Sequence, residues 1–403
     1  MNKTYNKDLN QQKIYLVGGA VRDKLLNVPS YDKDYVAVGF TNQDFSHLKQ
    51  VGKDFPVFIQ EDGSELALAR VEKKISQGYN GFSVETKDIS IEDDLKRRDL
   101  TINSIAFNEE TSTYIDPFDG IKDLEKKVLK HTSKSFIEDP VRVLRVARFR
   151  AKYGYDWKIH HSTKVLIYKM RDELKYLQKD RVYKEIDKVL ELESSDMFFN
   201  TLFELGVLDV VFPSIYKLTT LKEGSIYHME ATVFEHTMMV LKKLKNRSKL
   251  LKLTAIYHDI AKPHCYREYG NSAKHDNKLL VEELIDIQIP VKLKKKMLII
   301  IENHIKIYIL NEMKDSKKAT FFESFKKNRE LFEDLITFAD ADNQGRICLE
   351  NKENLPKEKL LLIFDTISNY SPKSWIDSCA DLSNDSIKQH IHKYNIGVVK
   401  KYF

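Results

Sequence analysis

Glycine and proline are scarce, with 14 and 9 among 403 residues. That excludes collagen-like repeats, long linkers and low-complexity tracts. With abundant Lys, Leu, Ile and Glu it favours a largely helical protein. Cysteine is rarer still. Cys265, Cys348 and Cys379 are far apart, odd in number and in no CxxC spacing, so neither a disulfide framework nor a zinc ribbon is expected, and a reducing compartment suits them. Long apolar runs are missing too. The most apolar stretch, Met297 to Leu310, carries Glu302, His304 and Lys306 and cannot be a spanning helix. The opening MNKTYNKDLNQQK has no apolar core of the kind a signal peptide needs. A soluble, cytoplasmic protein with no membrane partner is expected. An excess of one charge is also absent: 66 basic against 60 acidic residues leave +6, which excludes a bare cationic tail but permits a locally basic face for a polyanion.

The length predicts two to four domains. Mixed α+β character marks the first ~130 residues. Lys13–Val17 reads as a strand ending in Gly18-Gly19, Ala20–Leu26 as a helix, and Asp34–Val38 as a strand closed by Gly39. Val57–Gln60 and Glu65–Arg70 flank Asp62-Gly63, a hairpin signal. A further strand pair is expected at Ile105–Phe107 and Thr113–Ile115. From Glu138 onward nearly every window has helical period. Asp139-Pro140 opens a helix, Asp180 is expected to cap Arg181–Leu192, Pro263–Asn277 reads as a loop, and Asn351–Pro356 as a polar break.

Three constellations in the first half carry chemistry. Two glycines between strand and helix, in Gly18-Gly19-Ala20-Val21-Arg22-Asp23, let backbone N–H groups approach a phosphate, with Arg22 adding positive charge. Asp32-Lys33-Asp34 follows. Residues two apart on a strand share a face, so Asp32 and Asp34 are expected side by side, where paired carboxylates can hold Mg²⁺ against a triphosphate. In Lys96-Arg97-Arg98-Asp99 the expectation is Arg98 on the triphosphate or ribose, with Asp99 turned inward to orient it. In Glu138-Asp139-Pro140-Val141-Arg142-Val143-Leu144-Arg145-Val146-Ala147-Arg148 the arginines recur every third residue on one broad helix face. Cytosine and adenine both present an exocyclic amine beside a ring-nitrogen acceptor. A carboxylate at Asp139 can accept from the amine while Arg142 donates to the ring nitrogen; guanine and uracil offer the opposite polarity.

GGAVRD with DKD, then RRDLTIN, then EDPVRVLRVARF resembles the class II CCA-adding enzymes, and the likeness continues through Asp180-Arg181-Val182-Tyr183-Lys184-Glu185. The resemblance implies a polymerase-β-like nucleotidyltransferase head and a helical remainder that adds C, C and A to the tRNA 3′ end from CTP and ATP. It implies Gly19, Arg22, Arg98, Asp139, Arg142 and Arg145 at the nucleotide, and Asp32 and Asp34 as catalytic Mg²⁺ ligands. Glu65 and Glu72 are candidates for a third carboxylate.

The histidines form a fourth constellation. His258-Asp259 in Ile256-Tyr257-His258-Asp259-Ile260-Ala261-Lys262, with His236 upstream and Asp342 far downstream, resembles the HD-domain metallophosphohydrolases. The pattern implies His236, His258, Asp259 and Asp342 as ligands of Ni²⁺ or another divalent transition metal that activates water on a phosphate ester. The pattern then places His228, His275 and His304 behind those ligands or at the substrate. The usual Gly of that motif is Ala261 here, a departure that touches backbone packing rather than ligation.

Four domains are expected: a head at 1–133, a helical neck at 134–222 for base and RNA binding, an HD body at 223–346 and a helical tail at 347–403. The expected partners are the tRNA acceptor arm, CTP and ATP, in a monomer or homodimer. The rivals are a bacterial poly(A) polymerase, which usually has a strongly basic C-terminal extension; a CC-adding enzyme, which usually lacks a flexible segment such as Arg70 to Phe82; and an RNA-binding protein with an inactive head, which would not need Asp32 and Asp34.

Overall fold

The computed structural model describes residues 12–403 except 31, 53–55, 75–81, 223–230, 273, 327, 348, 350, 351, 353 and 380–382. The chain falls into two compact units, Met1–Glu185 with Glu204–Val210 and Ile186–Phe203 with Val211–Phe403.

The first unit is built on strands whose apolar residues run on consecutive positions. β1 (Lys13–Val17) is followed by α1 (Gly19–Leu25), β2 (Asp34–Val38), β3 (Lys49–Val51), β4 (Val57–Ile59) and β5 (Glu65–Leu68). Among the described residues β6 (Val71–Lys74) and β7 (Phe82–Glu85) pair only with each other; then come α2 (Ile91–Lys96), β8 (Ala106–Asn108), β9 (Thr113–Ile115) and α3 (Gly120–Glu125). The seven-stranded sheet has the order β3-β4-β5-β2-β1-β8-β9. β2 and β5 are parallel, and the other neighbours antiparallel.

A strand in the middle of such a sheet must be apolar on both sides, because successive side chains alternate between faces. β2 obeys this. Val36 and Val38 pack with Tyr15, Val17, Ile91 and Leu95 on one face. Ala37 packs with Phe45, Phe58, Leu66 and Leu68 on the other. The hairpin read from Asp62-Gly63 joins β4 to β5: Asp62 Oδ1 accepts from Ser64 N at 3.0 Å, and Gly63 takes φ +84°.

After the head sheet, β10 (Val128–Leu129) pairs in parallel with β11 (Lys158–Ile159), and α4 (Val141–Tyr153) lies between them in sequence. α5 (His161–Lys169), α6 (Lys179–Val189), α7 (Ser195–Glu204), α8 (Leu208–Val211) and α9 (Pro213–Lys217) follow. α6 starts two residues before the predicted position, so Asp180 lies in its first turn rather than capping it. There an acid still opposes the positive helix end.

The second unit continues with α10 (Val233–Lys243), α11 (Lys249–Tyr257), α12 (Lys262–Tyr269), α13 (Lys278–Leu284), α14 (Val291–Asn303), α15 (Asp315–Ser324) and α16 (Arg329–Gln344). α17 (Lys357–Ser368), α18 (Lys373–Asp377) and α19 (Asn384–Tyr402) complete the chain. α11 is central: its residues from Leu250 to Tyr257 are all buried, and it packs on α10, α14 and α16. A helix apolar on every side belongs inside a bundle. Its buried Lys252 donates to the carbonyls of Leu190 and Leu192 at 2.9 and 2.6 Å.

α12 corrects the predicted loop at Pro263–Asn277. Pro263 sits in the first helical turn, where its missing N–H costs no bond. The helix ends at Gly270, whose φ of +71° is the left-handed stop glycine favours. Among the described residues no helix is long and apolar enough to cross a membrane.

Candidate functional site

In the first unit Val17 pairs with Asp34, so β1 ends where β2 begins. Gly18 turns the chain into α1 with φ +69° and ψ −128°. A Cβ on Gly18 would lie 2.9 Å from Arg98 Nη1 and 3.9 Å from Asp34 Oδ2. The glycine that the site requires is therefore Gly18. Gly19, the predicted nucleotide contact, has ordinary φ and opens α1 beside the Arg22 guanidinium.

Asp34 is exposed and faces Glu65 in register across the parallel β2–β5 pair. Partial burial of its carboxyl raises its pKa, Arg98 opposes the rise, and the charges of Glu65 and Asp32 add to it. Asp32, Asp34 and Glu65 thus form one carboxylate cluster. Asp32 lies two residues before β2 begins, so of the two aspartates Asp34 alone stands on the strand itself. Glu72 lies on β6, in the separate two-stranded pair, and its side chain falls outside the described residues.

Arg98 is aimed by Asp94, not by Asp99. Asp94 is fully buried and accepts from Arg98 Nη2 at 3.1 Å and Arg97 Nη2 at 2.7 Å. Burial disfavours its charge, but the two guanidinium groups outweigh that and hold its pKa below the ordinary value. Asp99 serves a different arginine. Arg145 Nε donates to Asp99 Oδ2 at 2.6 Å, while Asn103 Nδ2 and Leu100 N donate to Oδ1 at 3.0 and 2.8 Å. Burial opposes the Asp99 charge as well, and Arg145 and Asn103 again hold the pKa down.

Arg22 extends this network from α1. Its Nη1 donates to Asn103 Oδ1 at 2.6 Å, its Nε and Nη2 reach Asp23 Oδ1 at 2.8 and 2.7 Å, and its guanidinium lies 5.3 Å from the Phe149 ring centre. Arg22 is buried, so it acts on the site as part of this framework.

On α4 the valines, Leu144 and Ala147 are buried while Arg142, Arg145 and Arg148 stay half-buried on the other side, the division expected from their spacing. Arg142 N donates to the Asp139 carbonyl at 3.0 Å, while their side chains take other partners. Asp139 Oδ1 accepts from Val141 N at 3.1 Å and Oδ2 from Arg181 Nη2 at 2.9 Å. Arg142 Nη1 and Nη2 donate to the carbonyls of Ser135 and Arg97 at 2.5 and 2.6 Å. Sequence reasoning missed Arg181 as the partner of Asp139. Both base-reading candidates are fixed in orientation, and a carboxylate accepting one bond on each oxygen keeps lone pairs for another donor.

The second unit holds the histidine cluster. His236, His258, Asp259, His275, His304 and Asp342 are all buried; His228 lies outside the described residues. His236 Nε2 stands 3.0 Å from Asp342 Oδ1, 3.4 Å from His258 Nε2 and 3.8 Å from Asp259 Oδ2. His258 Nε2 lies 3.2 Å from Asp259 Oδ2. Behind them, Nδ1 of each histidine meets a backbone carbonyl: Gly345 for His236, Ala255 for His258, Ser272 for His275 and Ile301 for His304. Each carbonyl accepts from Nδ1–H, which turns Nε2 inward, the ring orientation a metal ligand needs. Burial drives the His304 pKa down to about 3. Lys262 Nζ lies 2.9 Å from Asp259 Oδ2. These donors fit a borderline divalent cation. Ala261, at the position where glycine was expected, is fully buried with φ −87° and ψ −10°, a conformation that needs no glycine.

Comparison with known proteins matches two families. Residues 14–130 match the "Poly A polymerase head domain", and residues 156–218 match the "Probable RNA and SrmB- binding site of polymerase A". The Multifunctional CCA protein of Acinetobacter baylyi is 38% identical over 356 residues, covering 85% of this chain and 86% of that protein. The fold is similar to that of the Thermotoga maritima CCA-adding enzyme complexed with tRNA, with TM-score 0.60, 18% identity, and coverage of 97% of this chain and 90% of that one. A CCA-adding enzyme in complex with CTP shares it equally, with TM-score 0.60 at 20% identity over 97% of this chain and 87% of that one.

Proposed function

Because this chain belongs to the family of multifunctional CCA proteins, the CCA-adding enzymes, we propose that it builds the C-C-A end of tRNA from CTP and ATP. The observation that carries the reading is the meeting of Asp34 and Arg98 over Gly18, with Asp32 and Glu65 beside the aspartate. Asp32 and Asp34 are the residues to hold Mg²⁺, and Glu65 is the better placed of the two candidates for a third carboxylate. When bound, Mg²⁺ supplies charge neutralisation at the triphosphate and a lower pKa at the attacking hydroxyl.

The chain's own groups do the rest. Gly18 lets the triphosphate approach the backbone at the start of α1, and Arg98, held by Asp94, offers it a fixed fork of donors. Arg145, anchored on Asp99, and the buried Arg22 make the floor positive. Asp139 accepts from the exocyclic amine of C or A, and Arg142 donates to the ring nitrogen. UTP and GTP leave both groups facing the wrong polarity, a mismatch worth roughly 1–3 kcal/mol for each group. Incubation with tRNA ending before CCA tests this. CTP alone should extend it by two nucleotides, and CTP with ATP by three. A long tract from ATP alone would assign a poly(A) polymerase, and a stop after two with both nucleotides a CC-adding enzyme.

The buried histidine cluster supports a second activity, a metal-dependent phosphohydrolase acting on 2′,3′-cyclic or 2′-phosphate esters. His236, His258, Asp259 and Asp342 are the residues to hold the metal. When bound, a borderline divalent cation supplies Lewis acidity toward a phosphate ester. A damaged tRNA end carries such a phosphate, and its removal restores a hydroxyl that the head can extend. The wild-type chain should hydrolyse 2′,3′-cyclic AMP with Ni²⁺, Mn²⁺, Co²⁺ or Mg²⁺. His258→Ala with Asp259→Ala should lose this and still add CCA; no hydrolysis with any of the four ions makes the cluster structural.

A further inference from the structure

We propose that Phe149 is a positioning residue for the nucleotide, its ring holding the guanidinium groups that make the floor of the site positive. The inference rests on the CCA-adding reading, because it takes Arg22 and Arg145 as groups that serve a bound triphosphate.

Three arginines gather on this one ring. The guanidinium carbon of Arg148 lies 4.7 Å from the Phe149 ring centre, that of Arg22 5.3 Å and that of Arg145 5.6 Å. All three fall within the ~6 Å over which a cation is drawn to an aromatic face. Arg145 and Arg148 belong to α4 itself, whereas Arg22 reaches the ring from α1.

Carboxylates alone do not explain the gathering. Each arginine has its own: Arg22 donates to Asp23 at 2.8 and 2.7 Å, Arg145 to Asp99 at 2.6 Å and Arg148 to Glu185 at 2.6 Å. Those acids lie on α1, in the turn after α2 and on α6, and the like charges they hold repel one another. The crowding is felt nearby. Burial, with the charges of Arg22 and Arg148, pushes the Lys152 ammonium pKa down against the opposing pull of Asp23. What the three arginines share is the ring, whose negative face offsets part of the repulsion.

The ring is also held in one orientation. Phe149 is buried. Its ring lies 9° from parallel to that of Tyr153 with centres 6.0 Å apart, and Tyr153 in turn stacks on Trp157 at 4.3 Å. This column runs out of α4 and leaves the ring little freedom to turn. Arg145 spends Nε on Asp99 while its side chain stays partly exposed. The ring therefore steadies a guanidinium whose Nη groups can meet the triphosphate. A ring that only filled the core would need its shape and not its charge distribution, and that difference is measurable.

The test changes the electrostatics of the ring at nearly constant shape. The full chain is made with one, two or three fluorines on the Phe149 ring, each withdrawing charge from its face. Equilibrium binding of CTP with Mg²⁺ should weaken stepwise, the trifluoro ring raising Kd about tenfold. Phe149→Leu, which keeps an apolar side chain without a π face, should raise Kd at least as much. In an Arg145→Ala background the fluorine series should lose most of its slope. The series in the wild-type background decides the matter even if Arg145→Ala or Phe149→Leu does not fold. A flat series in a chain that binds CTP would overturn the positioning role while leaving the CCA-adding reading intact. Failure of the unmodified chain to bind CTP would overturn both.

Discussion

Arg98 occupies the space that a side chain on Gly18 would fill: the missing Cβ would lie 2.9 Å from Arg98 Nη1. The turn after β1 is thus a glycine for two reasons, its φ of +69° and this contact. Gly18→Ala must strain the backbone, at about 1–3 kcal/mol, and push the guanidinium aside. The expected result is a CTP Kd raised about tenfold or more, corresponding to ~1.4 kcal/mol, in a protein that still folds. Equilibrium binding of CTP checks it, and Gly19→Ala should have the smaller effect.

Asp32→Ala or Asp34→Ala should abolish nucleotide addition, by roughly a thousandfold or more, since each removes several kilocalories of charge stabilisation. Binding of tRNA should persist. Rapid-quench measurement of the first CMP addition, beside a tRNA mobility shift, separates the two. Glu65→Gln should fall between these variants and wild type.

How much of this site could be read from the sequence follows from how far apart its partners lie. β1 and β2 were legible to the residue because five consecutive strand residues end in glycine in each. The arginine face of α4 was legible because helical spacing alone decides it. The partners of those arginines were not. Arg98 is bracketed by acids at 94 and 99, and only the turn out of α2 decides that Asp94 faces it while Asp99 faces α4. Asp139 and Arg181 meet across 42 positions, which no local pattern records. α12 was hidden because Pro263 reads as a breaker until it is placed in a first turn. The histidines were legible as a set, but the approach of His275 and His304 to Asp259 depends on how the loop carrying His275 and the end of α14 pack.

Base choice should depend on Arg181 as well as on the predicted pair. Arg181→Ala releases Asp139 Oδ2 and should relax discrimination against UTP and GTP, as Asp139→Ala and Arg142→Ala should, more than it weakens tRNA affinity. Competition among the four nucleotides reads this directly. Unchanged discrimination in all three variants would mean that the base is read elsewhere.

The Asp99–Arg145 pair gives a pH dependence with a definite sign. The folded-state pKa of Asp99 is depressed, so the pair's stabilisation is complete above the ordinary carboxylate pKa of ~3.9 and is lost as pH falls through the lower folded value. Because the Arg145 side chain is 31% exposed, Asp99→Asn should cost about 2 kcal/mol at neutral pH, below the roughly 3–5 kcal/mol of a fully buried pair. Denaturant midpoints should show the gap between wild type and Asp99→Asn at full size at pH 7 and narrowing below about pH 4. A gap that widens in acid would contradict the assignment.

The most direct test of the account supplies all four nucleoside triphosphates with Mg²⁺ to a tRNA ending before CCA, and sequences the new 3′ ends. The account predicts that nearly every extended end reads C-C-A and stops there, with UMP and GMP rare and no tract of adenylates. Ends of mixed composition, or adenylate tracts of varied length, would contradict it.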